Sequence, residues 1–375
     1  MDVPALIDGL AVEEPAGARL EGPFAGTAPD ACDGVEERAL VCVVPQPANS
    51  RKTKAACKIR AGLNIIILMQ TLYITHPACG LHEMGNWHPE CPQRLAAIND
   101  QLLASGVMSF LVEEQAPSAS EADILRVHTP EYLAYLRGNS PATGYFPVDP
   151  DTIMNPHTLE AAWVAAGSGI AAVDAVMEKR AATAFCSVRP PGHHARPGVA
   201  MGFCFFNNIA VAAAYAMEKY GLERVAIIDF DVHHGNGTEE MFSGDARVLM
   251  CSFFQHPLFP NICQDNPAEN MVNIPVDAYT KGDALRQLVG DVWMPRLEAF
   301  KPEFIFISAG FDAHQEDDMG QLGMVEADYA WITEQIMQLA GHTAQGRVVS
   351  FLEGGYNLSA LGRSVVAHIR ALATL

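Results

Sequence analysis

The chain has 375 residues, of which 49% are hydrophobic and 18% charged, and its formal net charge is −20 at pH 7. This length and composition are typical of one or two globular domains with a substantial buried core. The negative charge disfavours direct binding of nucleic acid, whose phosphates would be repelled, and it favours a cationic ligand such as a lysine-rich peptide or an amine.

The sequence pattern favours neither a membrane span nor a secretory signal. No apolar run reaches the length of a bilayer span, and the first residues carry acids rather than the basic stretch of a secretory signal. The nine cysteines include no CxxC pair and are odd in number, which favours reduced thiols. We therefore predict a cytoplasmic protein that does not associate with membranes.

Residues 1–68 differ from the remainder. They are rich in Ala, Gly, Pro and acidic residues, carry a basic patch at residues 51–60, and show no periodicity that would bury a face. We predict a disordered N-terminal extension, with partner binding or targeting by the basic patch as the alternative. The catalytic domain is predicted at residues 69–375.

From residue 69 onward, strand-like apolar runs alternate with Ala-rich helical stretches. The predicted strands cover residues 72–75, 184–188, 225–229, 248–253, 304–308 and 348–352. The predicted helices cover residues 159–178, 207–220, 283–300, 325–341 and 361–373. This alternation is typical of an α/β fold, with a mostly parallel sheet and helices on both faces.

The segment DFDVHHGNGT (229–238) directly follows the apolar run 225–228. In extended backbone, alternate side chains point to one face, so Asp229, Asp231 and His233 are expected to lie together. Two carboxylates and an imidazole at the end of a buried strand would repel and desolvate each other without a cation. The segment therefore predicts a divalent metal site, with a solvated turn that caps a helix as the alternative.

Polar clusters also follow three other predicted strands: RPPGHH (189–194), SAGFD (308–312) and EGGY (353–356). Open parallel sheets bind ligands at the carboxyl ends of their strands, which predicts that these clusters form one site.

Together, RPPGHH, DxDVHHGNGT, SAGFDAH and EGGYN resemble the histone deacetylase superfamily over residues 70–373, in particular its class II-like bacterial histone deacetylase-like amidohydrolases and acetylpolyamine amidohydrolases. The resemblance implies the arginase/deacetylase fold, with a central, mostly parallel eight-stranded sheet. It also implies a metal-dependent hydrolase that removes acetyl groups from N-acetylated amines. We expect N-ε-acetyl-lysine side chains as the main substrate.

The resemblance assigns Asp231, His233 and Asp312 as ligands of one zinc ion (Zn²⁺). Two carboxylates and one neutral imidazole balance the charge of a divalent cation and leave positions open for water and a substrate carbonyl. Iron(II), cobalt or manganese would also suit these donors. The resemblance further implies a structural potassium ion (K⁺) beside the same segment and Ser252.

The same resemblance assigns the catalytic side chains. His193 would stabilise charge, held by the carboxylate of Asp229, and His194 would act as general base and then general acid. Asn236 stands where many relatives have Asp, as in the class II branch, so we expect a less basic His194. Tyr356 would donate a hydrogen bond to the carbonyl oxygen of the substrate, and a core tyrosine is the alternative.

A narrow substrate channel is also implied. Phe203 and Phe259 match its two aromatic walls, with core packing as the alternative for each ring. The carbonyl of Gly202 would accept from the scissile amide N–H. Arg94 resembles an arginine that lines a passage for acetate, although a salt bridge that pins the first helix is the alternative. Met319 is apolar at a position where polyamine-preferring relatives can carry glutamate, which disfavours a polyamine substrate. The neighbouring acids at 316–318 could attract a cation at the rim, with a solvated acidic loop that caps a helix as the alternative.

Three other functions stay open from the sequence: acetylpolyamine deacetylation, a non-catalytic module that binds acylated partners, and an arginase-like hydrolase with two metals. A homo-oligomer is compatible with the sequence.

Overall fold

The computed structural model describes residues 70–262 and 268–375, so the predicted N-terminal extension lies outside the described residues. Its centre is an eight-stranded, entirely parallel sheet in the order β2-β1-β5-β10-β9-β6-β7-β8, and β3 and β4 form a separate short antiparallel pair. The strands are β1 (Thr71–Thr75), β2 (Leu111–Gln115), β3 (Phe146–Pro147), β4 (Ile153–Met154), β5 (Thr183–Cys186), β6 (Val225–Asp229), β7 (Val248–Gln255), β8 (Met271–Val276), β9 (Phe304–Ala309) and β10 (Val348–Leu352).

Helices cover both faces of this sheet. They are α1 (Gln93–Ala104), α2 (Glu121–Ile124), α3 (Pro130–Asn139), α4 (Thr158–Met177), α5 (Asn208–Tyr220), α6 (Asn236–Phe242), α7 (Gly282–Leu288), α8 (Met294–Phe300), α9 (Glu326–Thr343) and α10 (Leu358–Leu372). Because strand side chains alternate, Ile228 packs into the core under α7–α10, whereas Ile227 packs into the opposite core under α4 and α5. The predicted fold class is confirmed.

Element boundaries differ from the prediction in places. The strands predicted at 225–229 and 348–352 have the observed bounds, whereas the strand predicted at 184–188 already ends at Cys186. A π-helical turn (Val289–Trp293) interrupts the helix predicted at 283–300. The edge strands β2 and β8, the short pair β3 and β4, and the helices α1–α3 and α6 were not predicted.

Helix α4 is long and apolar enough to cross a membrane by those two criteria alone, with a mean hydropathy of 1.3. The expectation that no apolar run is this long is therefore wrong for α4. However, 67% of its apolar segment is buried inside the fold, as is typical of a helix in the core of a globular domain. Ala165, Ala172 and Val173 of α4 pack into the core that also contains β5 and α5.

Candidate active site and metal centre

Three side chains that could bind a metal meet at the carboxyl ends of the adjacent strands β6 and β9. Candidate ligand atoms of Asp231, His233 and Asp312 all lie within 4.8 Å of one another, and the three residues are buried. The Nδ1 atom of His233 lies 3.0 Å from Oδ1 of Asp231 and 3.1 Å from Oδ2 of Asp312. The arrangement offers one imidazole nitrogen and two carboxylates to a single point.

The electrostatics of these three side chains favour a bound cation. Burial and the charge of Asp231 raise the pKa of Asp312 to about 7. Burial alone would lower the pKa of His233, but its hydrogen bonds with the two carboxylates raise it to about 10. The cluster therefore favours a bound cation, which a divalent metal supplies without protonating the imidazole.

Glycine backbones line this cluster closely. A Cβ atom added to Gly354 would lie 1.9 Å from Oδ2 of Asp312, and one added to Gly310 would lie 2.0 Å from Oδ2 of Asp231. Only glycine fits at these positions, because any side chain would overlap a candidate ligand. The Gly354 amide also donates a hydrogen bond of 2.8 Å to Oδ2 of Asp231, which fixes that carboxylate.

The tandem histidines lie beside the cluster with their ring centroids 4.0 Å apart, but their surroundings differ. His193 Nδ1 lies 3.0 Å from Oδ2 of Asp229, and His194 Nδ1 lies 2.8 Å from Oδ1 of Asn236. Burial would lower the pKa of His193, yet Asp231 and Asp229 raise it to about 10. Burial and the neighbouring histidines hold the pKa of His194 well below its usual value. Opposite shifts in adjacent groups suit a charged imidazole beside a neutral one that can accept a proton.

The proton position on His194 follows from its partner. The amide oxygen of Asn236 can only accept a hydrogen bond, so Nδ1 of His194 carries the proton. The lone pair on Nε2 is then free to accept a proton.

Glu353 is a buried group in the EGGY cluster for which the sequence predicted no individual role. Its Oε2 accepts hydrogen bonds from the amides of Gly192 (2.7 Å) and His193 (3.1 Å), and burial raises its pKa to about 7. This carboxyl holds the loop that carries the tandem histidines. An acid directly after an apolar strand is the signal that would have identified it.

The residues expected to line the channel lie around the histidines. Gly202 has φ +56°, and an added Cβ would lie 2.4 Å from Cδ2 of His194. The ring of Phe203 packs edge-on against Tyr356 at 5.9 Å, and that of Phe259 packs edge-on against His194 at 5.1 Å. The structure thus brings both phenylalanines next to the candidate catalytic groups.

Arg94 is fully buried and contacts the loop that carries Tyr356. Its guanidinium donates to the carbonyls of Gly355 (2.6 Å) and Glu353 (2.5 Å), and it lies 4.9 Å from the centroid of the Tyr356 ring. It also forms a 3.1 Å salt bridge with Glu90, which pairs in turn with Arg189. This salt bridge agrees with the structural role expected for Arg94, a salt bridge at the first helix.

The acids expected at the rim have different surroundings. Asp317 is buried and accepts a 3.0 Å hydrogen bond from the amide of Met319, so the expectation that it attracts a cation at the rim is wrong. Glu316 forms a 2.8 Å salt bridge with Arg363. Asp318 is exposed, and Met319 is half-buried.

Comparisons with known proteins agree in one family. The histone deacetylase domain model matches residues 88–372. A probable deacetylase of Archaeoglobus fulgidus is 38% identical over 77% of this chain and 82% of its own length. A histone deacetylase-like amidohydrolase of Pseudomonas aeruginosa is 37% identical over 72% of this chain and 73% of its own length.

Two further matches are a human protein and a solved crystal structure. The human polyamine deacetylase HDAC10 is 35% identical over 76% of this chain, which spans 45% of the human protein. The crystal structure of the HDA15 HD domain has a TM-score of 0.77 at 33% identity, covering 82% of this chain and 89% of that one.

Proposed function

The chain belongs to the histone deacetylase family and is a deacetylase that hydrolyses amides, and we propose that it acts on N-ε-acetyl-lysine side chains with zinc as its metal. The observation that carries this proposal is the Asp231–His233–Asp312 cluster, which lies beside two histidines of opposite pKa shift. Acetate and a free amine would be the products.

In the proposed mechanism, His194 is the group that moves the proton. Its free Nε2 takes a proton from the attacking water and then gives it to the departing amine. His193, kept protonated by Asp229 and Asp231, places positive charge beside the negative charge that develops on the substrate. A divalent cation in the cluster would supply Lewis acidity towards the carbonyl and the water.

Tyr356 is proposed as the second donor to the carbonyl oxygen. Burial and the charge of Asp312 raise the pKa of its hydroxyl well above the usual value, so the proton stays available for donation. The apolar rings of Phe203 and Phe259 favour a methylene chain beside this site, which suits the lysine stem. The carbonyl of Gly202 is proposed to accept from the scissile amide N–H.

Zinc and potassium are proposals that rest on the donor sets. Zinc is the default for one imidazole and two carboxylates, with iron(II), cobalt and manganese as alternatives. Support for potassium comes from Ser252, which pairs in register with Asp229 and whose buried hydroxyl has no hydrogen-bond partner among the described residues. A cation beside this oxygen would satisfy it.

Acetylpolyamine deacetylation is the second candidate, since one relative is named a polyamine deacetylase. Two residues disfavour this substrate. Met319 carries no charge, and the buried carboxylate of Asp317 accepts hydrogen bonds from backbone amides, so it does not face a distal ammonium group. Within residues 70–262 and 268–375, a single cluster of three side chains could hold a metal ion, which disfavours an arginase-like pair of metals. The cytoplasmic location, the homo-oligomer and the domain boundary stay predictions.

The substrate proposal is tested by a rate panel. An acetyl-lysine peptide, acetylputrescine and acetylspermidine are compared on one sample whose metal content is measured. We expect kcat/KM to be at least about tenfold higher for the peptide, because neither Met319 nor Asp317 offers a charge to a distal ammonium. The reverse order would replace the lysine proposal with the polyamine one.

The proposed role of His194 predicts a pH effect. In Asn236→Asp, a carboxylate replaces the amide oxygen beside Nδ1 and favours the imidazolium, so the pKa of His194 rises. Since the base must be neutral to accept a proton, the acid limb of the kcat/KM profile moves to higher pH, by about one unit. An unshifted profile, with folding verified by thermal unfolding, would contradict this role.

A further inference from the structure

The peptide between Gly355 and Tyr356 is held at both of its polar ends by buried groups of opposite charge. Its carbonyl oxygen accepts a 2.6 Å hydrogen bond from Nε of Arg94, and its N–H donates a 2.6 Å hydrogen bond to Oδ2 of Asp317. The positive group thus faces the negative end of the peptide dipole and the negative group faces the positive end. A flip of this peptide would break both bonds and leave two buried charges without these partners.

Asp317 contacts the backbone of two loops. Its Oδ2 also accepts from the amide of Asn357 at 2.8 Å, and its Oδ1 accepts from the amide of Met319 at 3.0 Å. The side chain is buried at 5% exposure, and these three amides satisfy its charge. A single carboxylate therefore joins the loop after β9, which carries the candidate ligand Asp312, to the loop after β10.

The conformation of the second loop makes such a restraint necessary. Gly355 has φ +117°, and Gly354 lies against the candidate metal ligands, so no side chain at either position can pack to hold the backbone. The direction in which Tyr356 leaves the loop then depends on contacts from outside it. Arg94 and Asp317 are the charged side chains that make those contacts with the Gly355–Tyr356 peptide.

We infer that Asp317 is a positioning residue that, opposite Arg94, fixes the plane of the Gly355–Tyr356 peptide and so holds the Tyr356 hydroxyl where it meets the reacting carbonyl. This inference rests on the proposed role of Tyr356. Asp317 itself faces backbone amides and acts through the tyrosine. It also couples the position of Met319, on the same loop, to that of Tyr356.

A double-mutant cycle tests this inference. The wild type, Asp317→Ala, Tyr356→Phe and the double variant are compared by kcat and KM on an acetyl-lysine peptide. A misplaced donor costs about 100-fold in rate, so we expect Asp317→Ala to lower kcat by about that factor and to change KM less than about threefold. In the Tyr356→Phe background the same substitution should lower kcat by less than about threefold, because the hydroxyl on which it acts is already gone.

Two further variants serve as controls. Asp317→Asn keeps one oxygen that can face the amides of Tyr356 and Asn357, so we expect a smaller loss of kcat than in Asp317→Ala. Asp100→Ala removes an exposed carboxylate on α1 and should leave kcat unchanged. Thermal unfolding of each variant separates lost folding from lost positioning, and if Asp317→Ala does not fold, the cycle is read from Asp317→Asn.

The outcomes are distinct. An equal loss of kcat in both backgrounds, or a wild-type kcat in Asp317→Asn and Asp317→Ala, would show that Asp317 does not act through Tyr356. A Tyr356→Phe variant with wild-type kcat would remove the proposed role of Tyr356, and the inference with it. A kcat loss confined to the background that retains the hydroxyl supports the inference.

Discussion

Replacing Asp312 by alanine is expected to abolish stoichiometric zinc binding and to lower kcat/KM on an acetyl-lysine peptide by at least about 1,000-fold. The reason is that Asp312 supplies one of three donors that converge on a single point, and that metal catalysis contributes several kcal/mol to transition-state stabilisation. Zinc content measured by mass spectrometry and initial rates on the same sample check this prediction.

Asp312→Asn is the matched comparison for this experiment. It keeps an oxygen at the position of the ligand but removes the charge, so we expect weaker zinc binding than in the wild type and partial recovery of activity at high zinc concentration. Asp100→Ala, on the exposed face of α1, should bind zinc normally. An Asp312→Ala protein that holds one zinc per chain at wild-type affinity would show that the ligand set is different.

Tyr356→Phe is expected to lower kcat by about 100- to 1,000-fold with little change in KM, the range found when one donor to an oxyanion is removed. The substitution keeps the ring that packs against Phe203 and lies beside Arg94, so the melting temperature should change little. Because the pKa of the Tyr356 hydroxyl is well above its usual value, the hydroxyl stays protonated and the loss should be the same from about pH 6 to pH 9.

A Tyr356→Phe variant whose kcat stays within about threefold of the wild-type value would show that Tyr356 is not a donor to the substrate carbonyl oxygen. A large rise in KM together with a lower melting temperature would instead indicate a packing role. Measuring kcat, KM and thermal unfolding on one preparation separates these results.

The interior of the sheet is predictable from sequence because its strands are buried on both faces. The runs at Val225–Asp229 and Val348–Leu352 are fully buried and mostly apolar, and their predicted bounds match the structure. The edge strands lack this pattern. Leu111–Gln115 has mostly polar, exposed residues, and Met271–Val276 contains Pro275, which an edge position tolerates.

Two of the unpredicted helices, α2 and α3, had local signals of a different kind. Ser120 and Asp123 form a capping box at the start of α2, and Thr129 caps α3, whose first residue is Pro130. Such caps mark a helix start even where the apolar periodicity is weak. The Ala-rich, apolar pattern therefore identified helices that pack on the sheet, such as α4 and α5, and missed α2 and α3, whose starts are marked by caps.

Residues at the strand ends could be proposed as site residues because each follows an apolar run directly. The contacts of the buried charges Arg94 and Asp317 with the β10 loop could not be predicted, since their partners are far away in the chain. Arg94 reaches the carbonyl of Gly355, 261 residues later, and Asp317 reaches the amide of Tyr356, 39 residues later. The local sequence pattern carries no information on such distant pairs, so the sequence predicted Asp317 as an acid at the rim of the channel.

The most direct test of the central claim is a zinc titration of the metal-free protein in which acetate released from an acetyl-lysine peptide is measured. We predict that the rate rises with zinc until one ion is bound per chain and then stays constant, with one free lysine formed for each acetate. Acetate release at full rate without metal, or no release with one zinc bound, would contradict a metal-dependent deacetylase at the Asp231–His233–Asp312 cluster.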